Sequence, residues 1–442
     1  MEAHASACER AWGDRSALLG LVLRHALPGV SHQSDISMAG PKQYSQVEDR
    51  KTGRHGKTIM DLKDLQKHIR TLATLPEAAA PVISCYLNLE ASESGYRHAL
   101  DERVRLLRKS LTGETRQHFE QALGQIEAHL RVGIAAGATG LAIFARGGHQ
   151  PFFLPLQFRV PLPNWIAVNT TPSIYHLVEL KDTYHRYVVL ISTEGSARIL
   201  GINLGAVTED VWKESPDLRQ RVGREWTREL YQNHRRERTK RFVNELIKIL
   251  DQLVSAGGYG HLILAGSPRV TSQIEKAFPK HLATKVVDIV PASAHDRTRD
   301  VVSATLVSFI EQEERESLAI VDRLLKEVNT NGLAVAGTRA SFEALRQGQV
   351  DVLVLAKGYE PGAGWSCGAC GATEVERPAP NACPQCGAKL RELNVKEEMV
   401  RMAERTESGV EVVSHSDALL RLGGVGCLLR FLGQEKYVTK AA

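Results

Sequence analysis

The spacing of apolar positions changes along the chain, and each change marks an element. In "MDLKDLQKHIRTLATL", residues 60 to 75, apolar side chains recur three and four apart, which predicts an amphipathic helix. "PVISCYLNL", 81 to 89, alternates and predicts a buried strand. Two long helices are expected next, the second carrying Phe119, Leu123, Ile126 and Leu130 as one stripe. "GLAIFA", 140 to 145, reads as a further strand. Gly147 and Gly148 before "HQPFFLPLQFRV" read as a hairpin turn rather than a catalytic loop.

The second half repeats the two periods in alternation. "RYVVLIS" and "SARILGINL" are expected to pair across the turn "TEGS". A helix beginning near "KRFVNEL" presents Phe242, Leu246, Ile249, Leu250 and Leu253, and Gly257 and Gly258 end it. Strand "HLILAG", a short helix from about 268 and strand "KVVDIV" follow. A long helix is expected over 298 to 328, with Val302, Leu306, Phe309 and Ile310 inward. "GLAVAGTRASFEALRQGQVDVLVLAKGY" reads strand, helix, strand, with Thr338 or Ser341 as the cap and Gly348 as the stop. After a Cys-rich insertion come the helix "VKEEMVRMAERT", the strand "VEVVSH" and a last strand in "LGGVGCLLRF". Strands alternating with helices imply an α/β class in three domains, with a mixed α/β centre and a C-terminal αβα sandwich.

The expected divisions are an N-terminal α/β domain over 57–175, a central domain over 176–294 and a C-terminal domain over 295–442. Residues 1–56 lack periodicity, are rich in Ser, His, Gly and Gln, and are expected to be a disordered extension. Because Met60 opens the first amphipathic segment, translation starting at Met38 or Met60 instead of Met1 is an expectation that N-terminal mass spectrometry would check.

Composition narrows the class without choosing a partner. The chain has 442 residues, 43% hydrophobic and 24% charged, and 56 basic against 51 acidic side chains leave a net charge of only +5. The short apolar run "ALLGLVL" follows acidic residues, the reverse of a secretory signal, so a cytoplasmic protein is expected. Of seven cysteines, Cys8, Cys85 and Cys427 stand alone and read as small buried hydrophobes. Cys367, Cys370, Cys383 and Cys386 form a C-x2-C-x12-C-x2-C array. Two such pairs predict a closed tetrahedral site for structural zinc in a ribbon spanning 362–392, with Gly368, Gly371 and Gly387 freeing the knuckle backbone.

One stretch resists burial. From Gln232 to Arg241 there is no apolar side chain, and over 219 to 241 eight arginines and one lysine face three glutamates. Arginine makes planar, bidentate contacts to phosphate, and aromatic rings stack on unpaired bases. The candidate RNA-binding residues are therefore Arg224, Trp226, Arg228, Tyr231, Gln232, Asn233, His234, Arg235, Arg236, Arg238 and Lys240. A solvated helix face with Arg and Glu paired along it is the plain alternative. Lys389, Arg391 and Lys396 beside the ribbon form a second, weaker basic candidate.

The order "GLAVAGTRASFEALRQGQVDVLVLA", Cys-pair insertion, "VKEEMVRMAER", "GVEVVSH", "LGGVGCLLRF" resembles the C-terminal domain of archaeal and eukaryotic class-one release factors and of Pelota. The block from "YHLVEL" to "ARILGINLGAV" and the helix at "KRFVNEL" resemble that family's central domain. In those release factors a Gly-Gly-Gln loop precedes a helix that starts with Arg-Phe, and it positions water on the ester of peptidyl-tRNA. Matching Arg241 and Phe242 to that pair puts the loop near Arg235, Arg236 and Glu237, yet no glycine lies between Trp226 and Arg241. The stop-codon-reading motif also finds no match between 90 and 140.

A relative lacking both motifs resembles the bacterial, Balon-type branch of ribosome hibernation factors. That resemblance implies no enzymatic activity and a stress-response role. It further implies a monomer in the A site of the 70S ribosome, reaching the decoding and peptidyl-transferase centres, inhibiting translation and arriving with elongation factor Tu. The alternative is a rescue or release factor hydrolysing peptidyl-tRNA, with Gln232, Asn233 and His234 positioning the water.

Overall fold

A computed structural model describes residues 59–78, 80–90, 93–193, 195–214, 228–293, 296–362, 364–375 and 379–432. The extension expected over 1–56 lies outside them. In chain order the elements are α1 (Leu62–Ala73), β1 (Val82–Asn88), α2 (Glu93–Ser110), α3 (Gly113–Val132), β2 (Gly140–Arg146), β3 (Phe152–Phe158), β4 (Trp165–Asn169) and α4 (Tyr175–Thr183). There follow β5 (Tyr187–Ser192), β6 (Ser196–Asn203), β7 (Ala206–Glu214), α5 (Arg228–Gly257), β8 (His261–Gly266), α6 (Pro268–Ala277), α7 (Lys280–Ala283), β9 (Val286–Val290) and α8 (Thr298–Asn329). Then come β10 (Ala334–Ala336), α9 (Thr338–Arg346), β11 (Val350–Ala356), β12 (Gly364–Cys367), β13 (Thr373–Glu374), β14 (Leu390–Leu393), α10 (Val395–Arg405), β15 (Gly409–Val413), α11 (Asp417–Arg421) and β16 (Val425–Leu429).

Four sheets result. The first, in order β3-β2-β1-β4, is antiparallel throughout. Alternation along β1 and β2 sends Ile83, Cys85, Leu87, Leu141, Ile143 and Ala145 toward α2 and α3, while Tyr86, Ala142 and Phe144 pack with α1 and α4. The central sheet, β7-β6-β5-β8-β9, pairs β5 with β8 and β8 with β9 in parallel. Its Val188, Leu190 and Leu262 pack with Phe242, Leu246 and Leu250 of α5, and its opposite face meets Val301 and Phe309 of α8. The third sheet, β10-β16-β11-β15, and the small sheet β13-β12-β14 complete the set, the latter inserted between β11 and α10 as the sequence implied.

Packing does not stop at the boundaries drawn from sequence. Helix α8 gives Val301 and Phe309 to the central sheet, then Val321 and Leu324 to the core of the third sheet. One continuous apolar core joins α1, α4 and a face of the first sheet to α10, β11 and β16. The joint is polar as well. The α4 N-terminus has no cap from its own Ile174, and Glu397 of α10 supplies one, its Oε2 accepting from the amides of Ile174 (2.8 Å) and Tyr175 (3.1 Å). Lys181 pairs with Glu404, Lys357 with Glu179 at 2.8 Å, and the Lys396 ammonium lies 3.8 Å from the Tyr175 ring centroid.

Several local expectations need revision. The helix expected near "KRFVNEL" begins a dozen residues earlier, at Arg228, because "RELYQNHRRERTKR" is free of Gly and Pro and rich in Arg, Glu, Gln and Lys, which tolerate helix without an apolar stripe. Thr338 is the first residue of α9 rather than its cap. The cap position belongs to Gly337 at φ 87°, and the buried Ser341 makes no capping bond. Strand β7 escaped notice because "AVTEDVWKE" is an edge strand with no buried apolar face, its exposed positions being Thr208, Asp210, Trp212 and Glu214.

Candidate functional site

The fold presents two candidate sites, a basic helical projection and a four-thiol cluster. In α5 the first buried side chain among the described residues is Phe242, and the helix has already run from Arg228, roughly 21 Å at 1.5 Å per residue. Gln232, Asn233, His234, Arg235, Arg236, Lys240 and Arg241 are exposed and Arg238 is half-buried. Arg228 and Tyr231 sit on the first turns of the same helix, where the backbone alone is described. Arg224 and Trp226 lie outside the described residues. The helix thus gathers Gln232 through Lys240 onto one rod, with Thr239 Oγ1 bonded back to the Arg235 carbonyl at 3.0 Å. Below the rod, Lys213 of β7 reaches Glu245 at 2.7 Å and ties it to the sheet edge. Residues 235 to 237, the place the resemblance gives to a glycine loop, are regular helix with every φ negative.

The Cys cluster is built by two matched knuckles. Gly371 N–H donates to the Cys367 carbonyl and Gly387 N–H to the Cys383 carbonyl, both at 2.9 Å. Gly371 at φ 75° and Gly387 at φ 71° take the left-handed turn that each knuckle requires, whereas Gly368 does not. Sγ of Cys367 lies 3.5 Å from that of Cys386, and Sγ of Cys370 lies 3.6 Å from that of Cys383. A tetrahedral ion at about 2.3 Å from each sulfur sets those edges near 3.8 Å, so the four thiols suit a soft divalent metal. The amides of Cys370 and Ala369 hold the Cys367 thiol down to about 6, while at Cys386 the Ala388 amide is outweighed by hydrogen bonding among the thiols, which pushes that thiol up to about 12, so the metal-free cluster favours a single thiolate at Cys367. Cys85 and Cys427 are buried instead, and burial pushes both thiols up to about 12.

The second basic candidate is largely spent within the fold. Arg391 is 3.1 Å from Glu77, and Lys396 is committed to the Tyr175 ring and the Lys357 carbonyl, burial lowering its pKa. Lys389 remains exposed. Sequence reading missed the polar joint around Glu397 and a His–Glu cluster of His185, His261, Glu313 and Glu316. Their members are scattered along the chain, and the one local hint is Glu313 and Glu316 three apart on a helix.

Residues 172–309 match the sequence model of the bacterial archaeo-eukaryotic release factor family 10. Peptide chain release factor subunit 1 of Pyrococcus abyssi is 25% identical over 411 residues, covering 84% of this chain and 98% of that protein. The Pelota homologue of Pyrococcus furiosus is 25% identical over 212 residues, 46% of this chain and 51% of that protein. Among solved structures, archaeal aRF1 aligns with 84% of this chain at 16% identity and a TM-score of 0.25, and Archaeoglobus fulgidus Pelota with 86% at 13% and 0.34. These superpositions are too loose to carry structural inference. Among the described residues no helix is long and apolar enough to cross a membrane. By sequence the chain is a distant homologue of archaeal release factor subunit 1 and Pelota, and its residues 172–309 match family 10 of the bacterial archaeo-eukaryotic release factors.

Proposed function

We propose that this protein occupies the A site of idle 70S ribosomes, reaches toward the peptidyl-transferase centre with the first turns of α5, and inhibits translation without hydrolysing peptidyl-tRNA. The observation that carries the reading is the continuous arginine-rich helix from Arg228 to Arg241, exposed from Gln232 onward except at the half-buried Arg238, standing where hydrolysis in the resembling release factors uses a glycine loop. A regular helix cannot take the strained backbone of such a loop, and its arginines suit phosphate and stacked bases. The homology to release factor subunit 1 and Pelota supports the ribosome as the partner. Delivery with elongation factor Tu belongs to the same reading. Zinc held by Cys367, Cys370, Cys383 and Cys386 would fold the ribbon, since four protein ligands leave no open position for chemistry.

The test is co-sedimentation with vacant 70S particles at physiological salt, together with a peptidyl-tRNA release assay. Binding with inhibition and no release is expected, and failure to bind sinks the proposal. One observation favours a rival. Gln232, Asn233 and His234 are exposed on the projecting helix, and Gln232 repeats the side chain with which the resembling release factors orient water. Release activity abolished by Gln232→Ala would establish a rescue or release factor instead.

A further inference from the structure

His261 opens β8, and the fold sets its ring beneath the middle of α8, where Glu313 and Glu316 are three apart and share a face. Nε2 of His261 lies 2.9 Å from Oε1 of Glu316, a hydrogen bond that places the ring proton on Nε2. Nδ1 is then a lone pair, and it faces Oε1 of Glu313 at 3.4 Å. Both atoms are buried and neither makes a hydrogen bond. Two acceptors facing one another in this way are unfavourable unless a cation, either a metal ion or a proton, sits between them. An ion about 2.1 Å from each would see them at close to the tetrahedral angle.

The surrounding groups hold the pair in place. The other oxygen of Glu313, Oε2, is 2.9 Å from Nδ1 of His185, and Gln312 Nε2 donates to Glu316 at 2.8 Å. Such outer partners fix the orientation of metal ligands. The side chains of His261 and Glu313 are 15% and 12% exposed, while Glu316 at 48% leaves an entry path from solvent. The three donors lie within 4.8 Å of one another.

We propose that Nδ1 of His261 and Oε1 of Glu313 form the core of a second metal site, separate from the cysteine cluster, for a divalent cation of the zinc class, with water completing its shell, His185 orienting Glu313, and Glu316, held by Gln312, orienting the His261 ring. Imidazole and carboxylate donors suit that class. The ion would pin the middle of α8, the helix shared by the central and third sheets, to the start of β8.

The test uses the full chain, stripped with a chelator and titrated with Co2+ alone, then with Zn2+ alone. Two equivalents are expected per chain. One brings intense near-ultraviolet thiolate charge-transfer bands, and the other brings weak visible bands without them. Glu313→Gln and His261→Ala each weaken the second equivalent by about 10-fold or more and leave the thiolate bands unchanged. A single equivalent in the wild-type chain overturns the proposal, a result that does not depend on how the variants fold. So does a second equivalent whose affinity neither variant changes, and that outcome would assign the space between Nδ1 and Oε1 to a proton.

Discussion

Charged side chains are used in opposite ways at the α4–α10 joint and on the projecting half of α5. At the joint each charge has a defined partner: Glu397 takes two amides, Glu179 takes Lys357 and His176, Lys181 takes Glu404. On α5, Arg236 and Lys240 stand on exposed turns above the last core residue, and nothing in the packing of the sheet requires them. Buried charge has to be satisfied within the fold, so it locks elements together. Exposed charge concentrated on a rigid rod contributes little to folding and is available to an outside partner.

That contrast can be broken in order of expected effect. Glu397→Ala should destabilise the chain most, by about 3–5 kcal/mol in denaturant unfolding, because it orphans the amides of Ile174 and Tyr175 and removes one of the carboxylates beside the buried Lys396. Acid comes next. Burial alone would raise the Glu179 carboxyl, but the hydrogen bond from His176 and the charge of Lys357 hold it down from 4.5 to about 2. A carboxylate depressed in the fold contributes stability above its unfolded value and loses it as pH falls toward the folded one. The window is therefore 4.5 down to about 2, with about 2 kcal/mol lost by about pH 3. Glu397 opposes this, since burial raises it and its protonation adds stability on acidification. Glu179→Gln should flatten the acid limb of a pH–stability curve, and an unchanged limb would remove Glu179 from the clasp. Smallest is the combined change Arg235→Ala, Arg236→Ala and Arg238→Ala, which should alter stability by less than about 0.5 kcal/mol per site.

Much of this arrangement was legible in the sequence wherever a period or a spacing carried it. The stripe from Phe242 to Leu253, the turn at Gly147 and Gly148, the long helix from Thr298 and the two Cys knuckles all stand where spacing put them. The start of α5 was not legible, because apolar periodicity is silent over turns that bury none of their described side chains before Phe242. The Glu397 cap and the His261–Glu313 pair were not legible either. Each joins residues far apart in the chain, and no local pattern encodes a meeting that tertiary packing creates.

The most direct measurement is the affinity of vacant 70S ribosomes for the wild-type chain and for the triple arginine variant across a salt series, with thermal unfolding of both chains measured alongside. The triple variant is expected to unfold at the wild-type temperature, to bind at least about 10-fold more weakly, and to show a salt slope shallower by about 2 to 3. Equal affinity and equal slope in a folded variant would mean that α5 does not hold RNA.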